Sequence, residues 1–570
     1  MPSILDRKNP QTGLHISLLG MGLYRLLRKR LHTQYVTAAL ATTVFLISYA
    51  VLSGNGVSTQ RAVGMCLIYL FADVTGYAYD MLNALGIVVL VLLWENPFLL
   101  SYSGFVFSVM AVIAIGVGAN VLLEWEHSWK RRQQAGEETI KKTFFSRQKE
   151  GILVSFAIQL FTIPLVAYSY YEIPVYAMLI NLFVLAVVDG LLGLTVLGVI
   201  VGMAFLPAGR VLFAPCGWML DSYRFLCEVS LKIPGAQRIT GKPAHMRIFW
   251  YYLGLGVFLL AIYACARRNE KHKDCRETAD LCVSRRKKRL QGIVFSCFIA
   301  FLLLFLLFPQ KKSFEIDFLD VGQGDGIYLC TGGGTSMFID GGSTDVKQVG
   351  KYRILPFLKA KGVSEISYWF VSHTDTDHVS GLKEVLVSGY RVEYLVFAKA
   401  VEKEAKTKEL AELARSHGTK VLYMQAGDTV RSKRAAMRCL YPKASDKAED
   451  VNDLCLVLQF EEGDISALFG GDISTDVEEQ LLRRRKWDKV LVFKADHHGS
   501  RYANAEALLK CIRPEITVAS AGKDNRYGHP SPDAVQRIKE SGSRFFCTIE
   551  GGRIRVRVIE NKLVCETYVK

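Results

Sequence analysis

The sequence predicts a polytopic α-helical membrane domain followed by a layered α/β domain, and three observations predict it. Long apolar runs recur up to about residue 308 and then stop. From about residue 313 the chain alternates short β-branched and aromatic runs with amphipathic helical segments, the pattern of a globular α/β domain. Clusters of Lys and Arg fill the loops between the apolar runs. The bulk numbers agree: 50% hydrophobic residues and a mean hydropathy of +0.20 are high for a soluble chain, and 570 residues suffice for several domains. The boundaries are expected at 1–310 and 311–570.

The formal net charge of +16 reports membrane orientation first and an anionic partner second. The 13 cysteines contain no CxxC pair, their number is odd, and several lie inside apolar runs. They read as small buried hydrophobes rather than a disulfide framework or a zinc site.

The first residues, Met1 to Pro10, have no signal-peptide pattern. Gly13-Leu-His-Ile-Ser-Leu-Leu-Gly-Met-Gly-Leu23 is apolar but short, and Arg25, Arg28, Lys29 and Arg30 follow it. Spans are expected at about 37–53, 62–79, 81–94, 103–123, 151–171, 174–188, 190–206, 248–266 and 292–308. The short ones suit re-entrant or broken helices lining a protein-enclosed cavity. Counting these spans puts the basic loops 25–30, 130–149 and 267–290 on one side, the cytoplasm, and the domain after 308 on the outer face. Residues 211–235 mix apolar and charged residues and read as an amphipathic helix in the interface. His15, Asp73, Asp80 and Asp189 lie in or beside apolar runs, where an ionisable group faces a cavity or a partner. Ser58 and Arg61 sit together in Gly56-Val-Ser-Thr-Gln-Arg-Ala62; the blander reading is an interfacial loop with Arg61 reaching to headgroups.

The second domain is organised around Val371-Ser-His-Thr-Asp-Thr-Asp-His-Val-Ser-Gly381. Four metal-capable side chains, His373, Asp375, Asp377 and His378, fall within six residues of a loop leaving the strand 366–372. A tight loop can turn alternate side chains to one point, which a divalent cation needs. Further strands are expected at 314–320, 327–330, 336–340, 451–460, 465–469, 489–494 and 516–520, with helices at about 350–361 and 474–484. Every His/Asp cluster follows a strand directly, so the strand ends of a sandwich can bring the clusters together. The acids Asp320, Asp325 and Asp340 read equally well as site residues and as loop caps.

Here a resemblance becomes specific. His373-x-Asp375-x-Asp377-His378, Gly471-Asp472, His497-His498-Gly499-Ser500 and Tyr527-Gly528-His529-Pro530 resemble the metallo-β-lactamase fold, in particular its branch fused to the competence protein ComEC, the DNA-uptake channel. Leu319-Asp-Val-Gly-Gln-Gly-Asp325 and Ile339-Asp-Gly-Gly342 match that branch too. Gly13-Leu-His-Ile16, Gly56-x-Ser58-x-x-Arg61, Asn96-Pro97 and Ser103-Gly-Phe-x-Phe-Ser108 are similar to its membrane domain. There are departures. Family members usually carry further helices and an OB-like domain before the Gly-Leu-His motif, so the chain is expected to be a short form or a truncated reading frame. Asp496 stands where the family often has Pro or Ala, and Asn452 lies roughly where relatives carry another His.

The resemblance implies an α/β/β/α metallo-β-lactamase-like sandwich on the outer face. It implies two divalent metals held by His373, Asp375, Asp377, His378, Asp472, His497 and His498, with Asp472 bridging. Asp377, Asp472 and His529 are the expected catalytic residues, and Asp325, Ser500, His15, Ser58 and Arg61 the expected substrate or channel residues. Two-metal sites hold their ions ~3.5–4 Å apart, activate a water and clamp both oxygens of a phosphoryl displacement. Carboxylate at position 375 and the lack of a His at 452 make the site harder, which favours Mn2+ or Mg2+ over Zn2+. The implied function is DNA internalisation for natural transformation: a channel for one strand and an outer nuclease for DNA phosphodiesters. The implied partners are DNA, the bilayer, a DNA receptor outside, a cytoplasmic DNA-translocating ATPase and further copies of the chain. Two other readings stay open. One is a membrane-anchored metallo-phosphodiesterase for a non-DNA substrate such as a cell-wall phosphodiester. The other is a transport module whose hydrolase-like domain is inert and only binds DNA.

Overall fold

A computed structural model describes residues 12–133, 144–271, 280–309, 312–560 and 562–569. The chain divides into two compact units, Met1–Phe308 and Pro309–Lys570.

The first unit is helical. α1 (Thr12–Lys29), α2 (Tyr35–Leu52) and α3 (Val57–Thr75) share an apolar cluster built on Tyr24, Ala38, Leu46, Val63 and Leu70. The Tyr24 hydroxyl donates to the Asp73 carboxylate at 2.5 Å, which gives that acid its partner. α4 (Met81–Glu95) begins where the Asp80 side chain accepts the Asn83 N–H at 2.7 Å. Asp80 is thus a helix N-cap. α5 (Ser103–Ile113) runs through a π-turn at 114–119 into α6 (Asn120–Gln133). α7 (Phe144–Tyr170) and β1 (Glu172–Pro174) lead to α8 (Ala177–Ala204), α9 (Leu206–Lys232) and β2 (Gln237–Ile239); α10 (His245–Lys271) and α11 (Asp280–Leu307) complete the unit.

Two expectations are corrected here. The spans expected at 174–188 and 190–206 are one helix, α8. Asp189-Gly190 suggests a break, but one interior Gly costs a helix only about 1 kcal/mol and the surrounding run is apolar. The helix expected over 211–235 starts earlier, and α9 folds back antiparallel on α8. The Tyr223 hydroxyl donates to Val184 O at 3.2 Å, and Cys216 Sγ meets Leu191 O at 3.9 Å. β1 and β2 pair antiparallel, Glu172 opposite Ile239, and so tie the two ends of this hairpin together. Among the described residues, five helices are long and apolar enough to cross a membrane by length and composition: Tyr35–Leu52, Ser103–Trp129, Lys149–Tyr170, His245–Arg268 and Arg286–Leu307. Met81–Glu95 and Gly190–Ala204 are shorter apolar helices.

Buried Glu126 pairs with Lys149 at 2.6 Å and Lys288 at 3.2 Å, and Glu124 lies 4.0 Å from Arg267. These ion pairs gather the end of α6, the start of α7, the end of α10 and the start of α11. The basic helix ends at 130–133, 144–149, 267–271 and 280–290 therefore lie at the same end of the helices.

The second unit has two sheets. In the first, β3 (Glu315–Phe318), β4 (Gly326–Cys330) and β5 (Ser336–Asp340) run antiparallel, and β6 (Glu365–Phe370), β7 (Arg391–Ala398) and β8 (Lys420–Met424) extend the sheet in parallel. In the second, β9 (Thr429–Ser432), β10 (Ala435–Tyr441), β11 (Val457–Glu462) and β12 (Ile465–Phe469) are antiparallel, and β13 (Val492–Lys494), β14 (Ile516–Ala519) and β15 (Arg544–Cys547) are parallel. β16 (Ile554–Ile559) and β17 (Lys562–Thr567) return to the first sheet beside β3.

Alternation within the strands explains the layering. Ile316, Phe318, Leu329, Ile339 and Phe370 face Met437, Leu458, Phe460, Ala467 and Val518 between the sheets. Tyr328, Phe338, Trp369 and Leu395 point the other way, under α12 (Leu355–Ala360), α13 (Thr376–Val387) and α14 (Ala405–Ser416). Val457, Leu468 and Phe493 likewise pack under α15 (Thr475–Arg484), α16 (Glu506–Ile512) and α17 (Pro532–Glu540). The unit is an α/β/β/α sandwich. The strand expected over 451–460 starts later, at Val457. Asp450 caps the Asn452 N–H at 3.0 Å and turns Val451–Leu454 into a short 3-10 helix.

Candidate metal centre

The ends of β6, β12, β13 and β14 supply the candidate residues, one loop each. β6 runs out into His373 and the first turn of α13, which carries Asp377 and His378. β12 leads to Asp472, β13 to His497 and His498, and β14 to the loop holding His529. The Asp325 loop presses against the same helix start. Its Gly324 has φ +146, a Cβ there would lie 2.4 Å from Asp377 O, and the Asp325 N–H donates to that carbonyl at 3.1 Å. His497 and His498 both adopt left-handed backbone, φ 50 and 53, an uncommon conformation for side chains of this size. That conformation turns two successive imidazoles toward Asp472.

His373, His378, Asp472 and His498 are buried. His378 Nε2 and His498 Nε2 each lie 3.3 Å from Asp472 Oδ2, and His498 Nε2 lies 3.7 Å from Asp377 Oδ2. The far nitrogens are held from behind. His378 Nδ1 meets the Asp340 carboxylate at 3.0 Å, and His498 Nδ1 meets Ser520 O at 3.0 Å. His373 Nδ1 lies 3.1 Å from Ser372 Oγ and 3.4 Å from Cys455 Sγ. A ring nitrogen engaged in this way fixes the imidazole plane and leaves the other nitrogen for a cation.

The donor set fits a divalent cation. His378 Nε2, His498 Nε2 and Asp472 Oδ1 are buried without a hydrogen bond, an arrangement that is costly unless something positive sits among them. Ligand atoms of His373, Asp377 and His378 also lie within 4.8 Å of one another, as do those of Asp325, His378, Asp472 and His498. Burial lowers His378 and His498, but Asp472 with Asp340 raises the first and Asp472 with Asp325 the second well above the usual imidazole range, so the carboxylates draw positive charge into the cluster. Burial pushes the Asp472 carboxyl up, but His498 and His378 hold it well below the usual carboxylate range. Burial brings His373 down to about 4, so it is the neutral imidazole a metal requires.

The remaining candidates take different places. Asp375 is 45% exposed and pairs with Lys406 at 2.9 Å, its other oxygen 4.0 Å from His373 Nε2. His497 is one-third exposed, 3.9 Å from Asp472 Oδ2, so both stand at the rim. His529 sits above the cluster, its ring 5.5 Å from that of His497, and burial brings it down to about 4. Ser500 is buried and accepts the Tyr502 N–H at 3.3 Å. Asp325 is buried behind His498 rather than open to a substrate: one oxygen pairs with Lys494 at 2.8 Å, the other lies 3.5 Å from His498 Nδ1. Burial works to raise its pKa, but Lys494 and His498 hold it well below the usual range. In the first unit, the Arg61 Nε donates to Ser108 Oγ at 2.5 Å, joining two of the sequence motifs, and Ser58 is half-buried on the first turn of α3. The His15 side chain lies outside the described residues.

Sequence reasoning missed Lys494 and Cys455. A lysine closing the apolar run Val490-Leu-Val-Phe-Lys494 is itself a signal, since a buried ammonium demands a carboxylate. Cys455 carries no such signal.

Comparison with known proteins extends these observations along the chain. A family model described as a competence protein matches residues 12–264. ComE operon protein 3 of Bacillus subtilis is 25% identical over 564 residues, covering 96% of this chain and 67% of that protein. Recombination protein 2 of Haemophilus influenzae is 24% identical over 591 residues, covering 97% and 68%. Among solved structures, the metallo-β-lactamase fold protein YhfI from Bacillus subtilis is similar at 11% identity with a TM-score of 0.31, over 43% of this chain and 100% of that one. Apolar helices long enough to cross a membrane, an α/β/β/α sandwich with a cluster fit for divalent cations, and relatives aligned over nearly the whole length coincide in one sequence: residues 12–264 match the competence-protein family, and the chain is similar along nearly all its length to ComE operon protein 3 and recombination protein 2.

Proposed function

We propose that the second unit is a metal-dependent nuclease hydrolysing DNA phosphodiesters on the outer face of the membrane, and that the first unit forms a channel for a single DNA strand. The observation that carries the nuclease reading is the set of buried, unbonded ligand atoms on His378, His498 and Asp472. Bound among His373, Asp377, His378, Asp472 and His498, with Asp375 and His497 at the rim, divalent ions supply Lewis-acid stabilisation and an activated water to a phosphodiester. The hard carboxylates favour Mn2+ or Mg2+ over Zn2+.

The chain's own residues do the rest. Asp340, Ser372 and Ser520 O orient the imidazoles from behind. Asp472 faces His378 and His498 together, the place of a shared ligand. His529, neutral at pH 7, stands over the cluster and can accept a proton from the attacking water. Asp377 reaches the cluster from the first turn of α13 and is its least buried carboxylate after Asp375.

Orientation is supported by the ion pairs of Glu126 and Glu124, which collect the basic ends of α6, α7, α10 and α11 at one end. Lys/Arg-rich loops favour the cytoplasm. α11 starts at that end and its last residue leads into the second unit.

The test uses the full chain in detergent with single-stranded and duplex DNA, adding Mn2+, Mg2+ or Zn2+ in turn, beside Asp377→Ala and Asp472→Ala. Metal-dependent cleavage that both variants lose supports the reading. Metal binding with no cleavage of DNA moves the substrate to another phosphodiester, and no metal binding at all makes the unit an inert module.

A further inference from the structure

A row of rings runs from the metal centre to the surface. His373 and His378 have centroids 4.0 Å apart, and His378 and His498 are 5.4 Å apart. His498 and His529 follow at 6.3 Å with planes inclined by 28°, and His529 and Tyr527 at 5.7 Å with planes inclined by 27°. Tyr527 ends the row and is 48% exposed. Arg526 fixes it: its guanidinium lies 4.9 Å from the ring centre and donates to the Tyr527 hydroxyl at 2.7 Å.

The other imidazole-bearing loop repeats the pattern. Arg501 and Tyr502 leave it directly after Ser500, the guanidinium 5.8 Å from a ring that is 71% exposed. The two loops are locked together where the Ser531 N–H donates to Gly499 O at 2.8 Å. A single exposed tyrosine is ordinary and needs no explanation. Two Arg–Tyr pairs, each on a loop that also brings imidazoles to the centre, are a different matter, and one of them continues the stack of those imidazoles outward.

Such a surface suits an unpaired base. A base in single-stranded DNA offers a free π-face, whereas duplex bases are already stacked on their neighbours. A guanidinium beside the ring suits the phosphate that joins one nucleotide to the next. Tyr527 lies one ring beyond His529, so a small phosphodiester seated at the metal centre depends less on it than a nucleotide chain does.

We propose that Tyr527 with Arg526 is a base-stacking clamp that selects single-stranded DNA at this site, with Tyr502 and Arg501 as a second station along the strand. The proposal rests on the nuclease reading and names the residues that set its substrate. Tyr527 takes the base beside the reacting phosphodiester, and Arg526 takes the adjoining phosphate.

The test compares the full chain in detergent with Mn2+ on two substrates, a single-stranded oligodeoxynucleotide and bis(p-nitrophenyl) phosphate. Tyr527→Ala is expected to raise KM for the oligonucleotide and to lower the ratio of its kcat/KM to that of the small diester about tenfold or more. Tyr527→Phe, which keeps the ring, is expected to hold the ratio within about twofold of wild type. An unchanged ratio in Tyr527→Ala, whether through no effect or an equal loss on both substrates, overturns the clamp while the nuclease reading stands. A wild-type chain that cleaves neither substrate overturns the nuclease reading and the clamp with it.

Discussion

His378 turns its Nδ1 to the Asp340 carboxylate at 3.0 Å, and this contact leaves Nε2 buried and facing Asp472. Burial works against a charged His378, yet Asp472 and Asp340 raise its pKa well above the usual imidazole range. A carboxylate behind a ligating imidazole fixes its tautomer and raises its basicity, and losing one typically costs 10–100-fold in metal affinity. Asp340→Asn is therefore expected to weaken Mn2+ binding by about 10–100-fold. Equilibrium dialysis with the full chain reads this directly. Wild-type affinity in the variant would reduce Asp340 to a loop cap, the other role its place in Ile339-Asp-Gly-Gly342 allows.

How much of this was legible depended on chain distance. His373, Asp377 and His378 lie on one strand-to-helix loop, so their spacing alone brings them together. Asp472 and His498 come from the other sheet, and only the resemblance tied them to the first loop. Asp375 looks equivalent to Asp377 in sequence, but it lies at the N-cap of α13 and turns outward to Lys406. Local pattern could not separate α8 into its true extent either, because Asp189-Gly190 signals a break that the helix absorbs. The pairing of Lys494 with Asp325 spans most of the second unit and leaves no periodic trace.

That pair sets a second prediction. Lys494 and Asp325 are each about 1% exposed and lie 2.8 Å apart. Removing one partner of a buried pair leaves an uncompensated charge and costs about 3–5 kcal/mol, whereas replacing both by neutral groups costs far less. Lys494→Met is expected to lower the apparent Tm of the full chain clearly, and Lys494→Met with Asp325→Asn to recover most of the loss. If the double variant is as unstable as the single one, packing rather than charge holds this corner.

Asp496 and Glu478 give a third, in pH. Both are buried; burial and then the other carboxyl raise Asp496 well above the carboxylate range. Burial likewise raises Glu478, although it accepts the Asn504 and Ala505 N–H groups at 2.6 Å each. The folded chain thus holds a proton here that the unfolded chain releases in the ordinary carboxylate range. A raised carboxyl pKa contributes stability that is fully present below the unfolded pKa and is lost as pH rises through the folded one. Stability should fall as pH rises above the ordinary carboxylate range, and Asp496→Asn should flatten that slope and raise the apparent Tm at pH 7. Thermal melts across pH at fixed metal concentration decide it; identical slopes in the two proteins would remove the pair from the account.

The α8–α9 hairpin gives the last. A Cβ at Gly209 would lie 2.5 Å from Gly202 Cα and 3.0 Å from both Gly198 O and Gly202 N, all backbone atoms that cannot swing aside. Gly190, in the middle of α8, has nothing within 4 Å of its Cβ position. Gly209→Ala must push the two helices apart, an overpacking cost of about 1–3 kcal/mol. Gly190→Ala adds helix propensity of about 1 kcal/mol to a continuous helix and meets no neighbour. The two substitutions should shift the apparent Tm of the full chain in opposite directions, down for Gly209→Ala and up for Gly190→Ala. A loss at Gly190 instead would mean that α8 is interrupted there, as two separate spans would require. A gain at Gly209 would mean that α9 does not pack on α8 at this point, and the close approach of the two glycines would have to be abandoned.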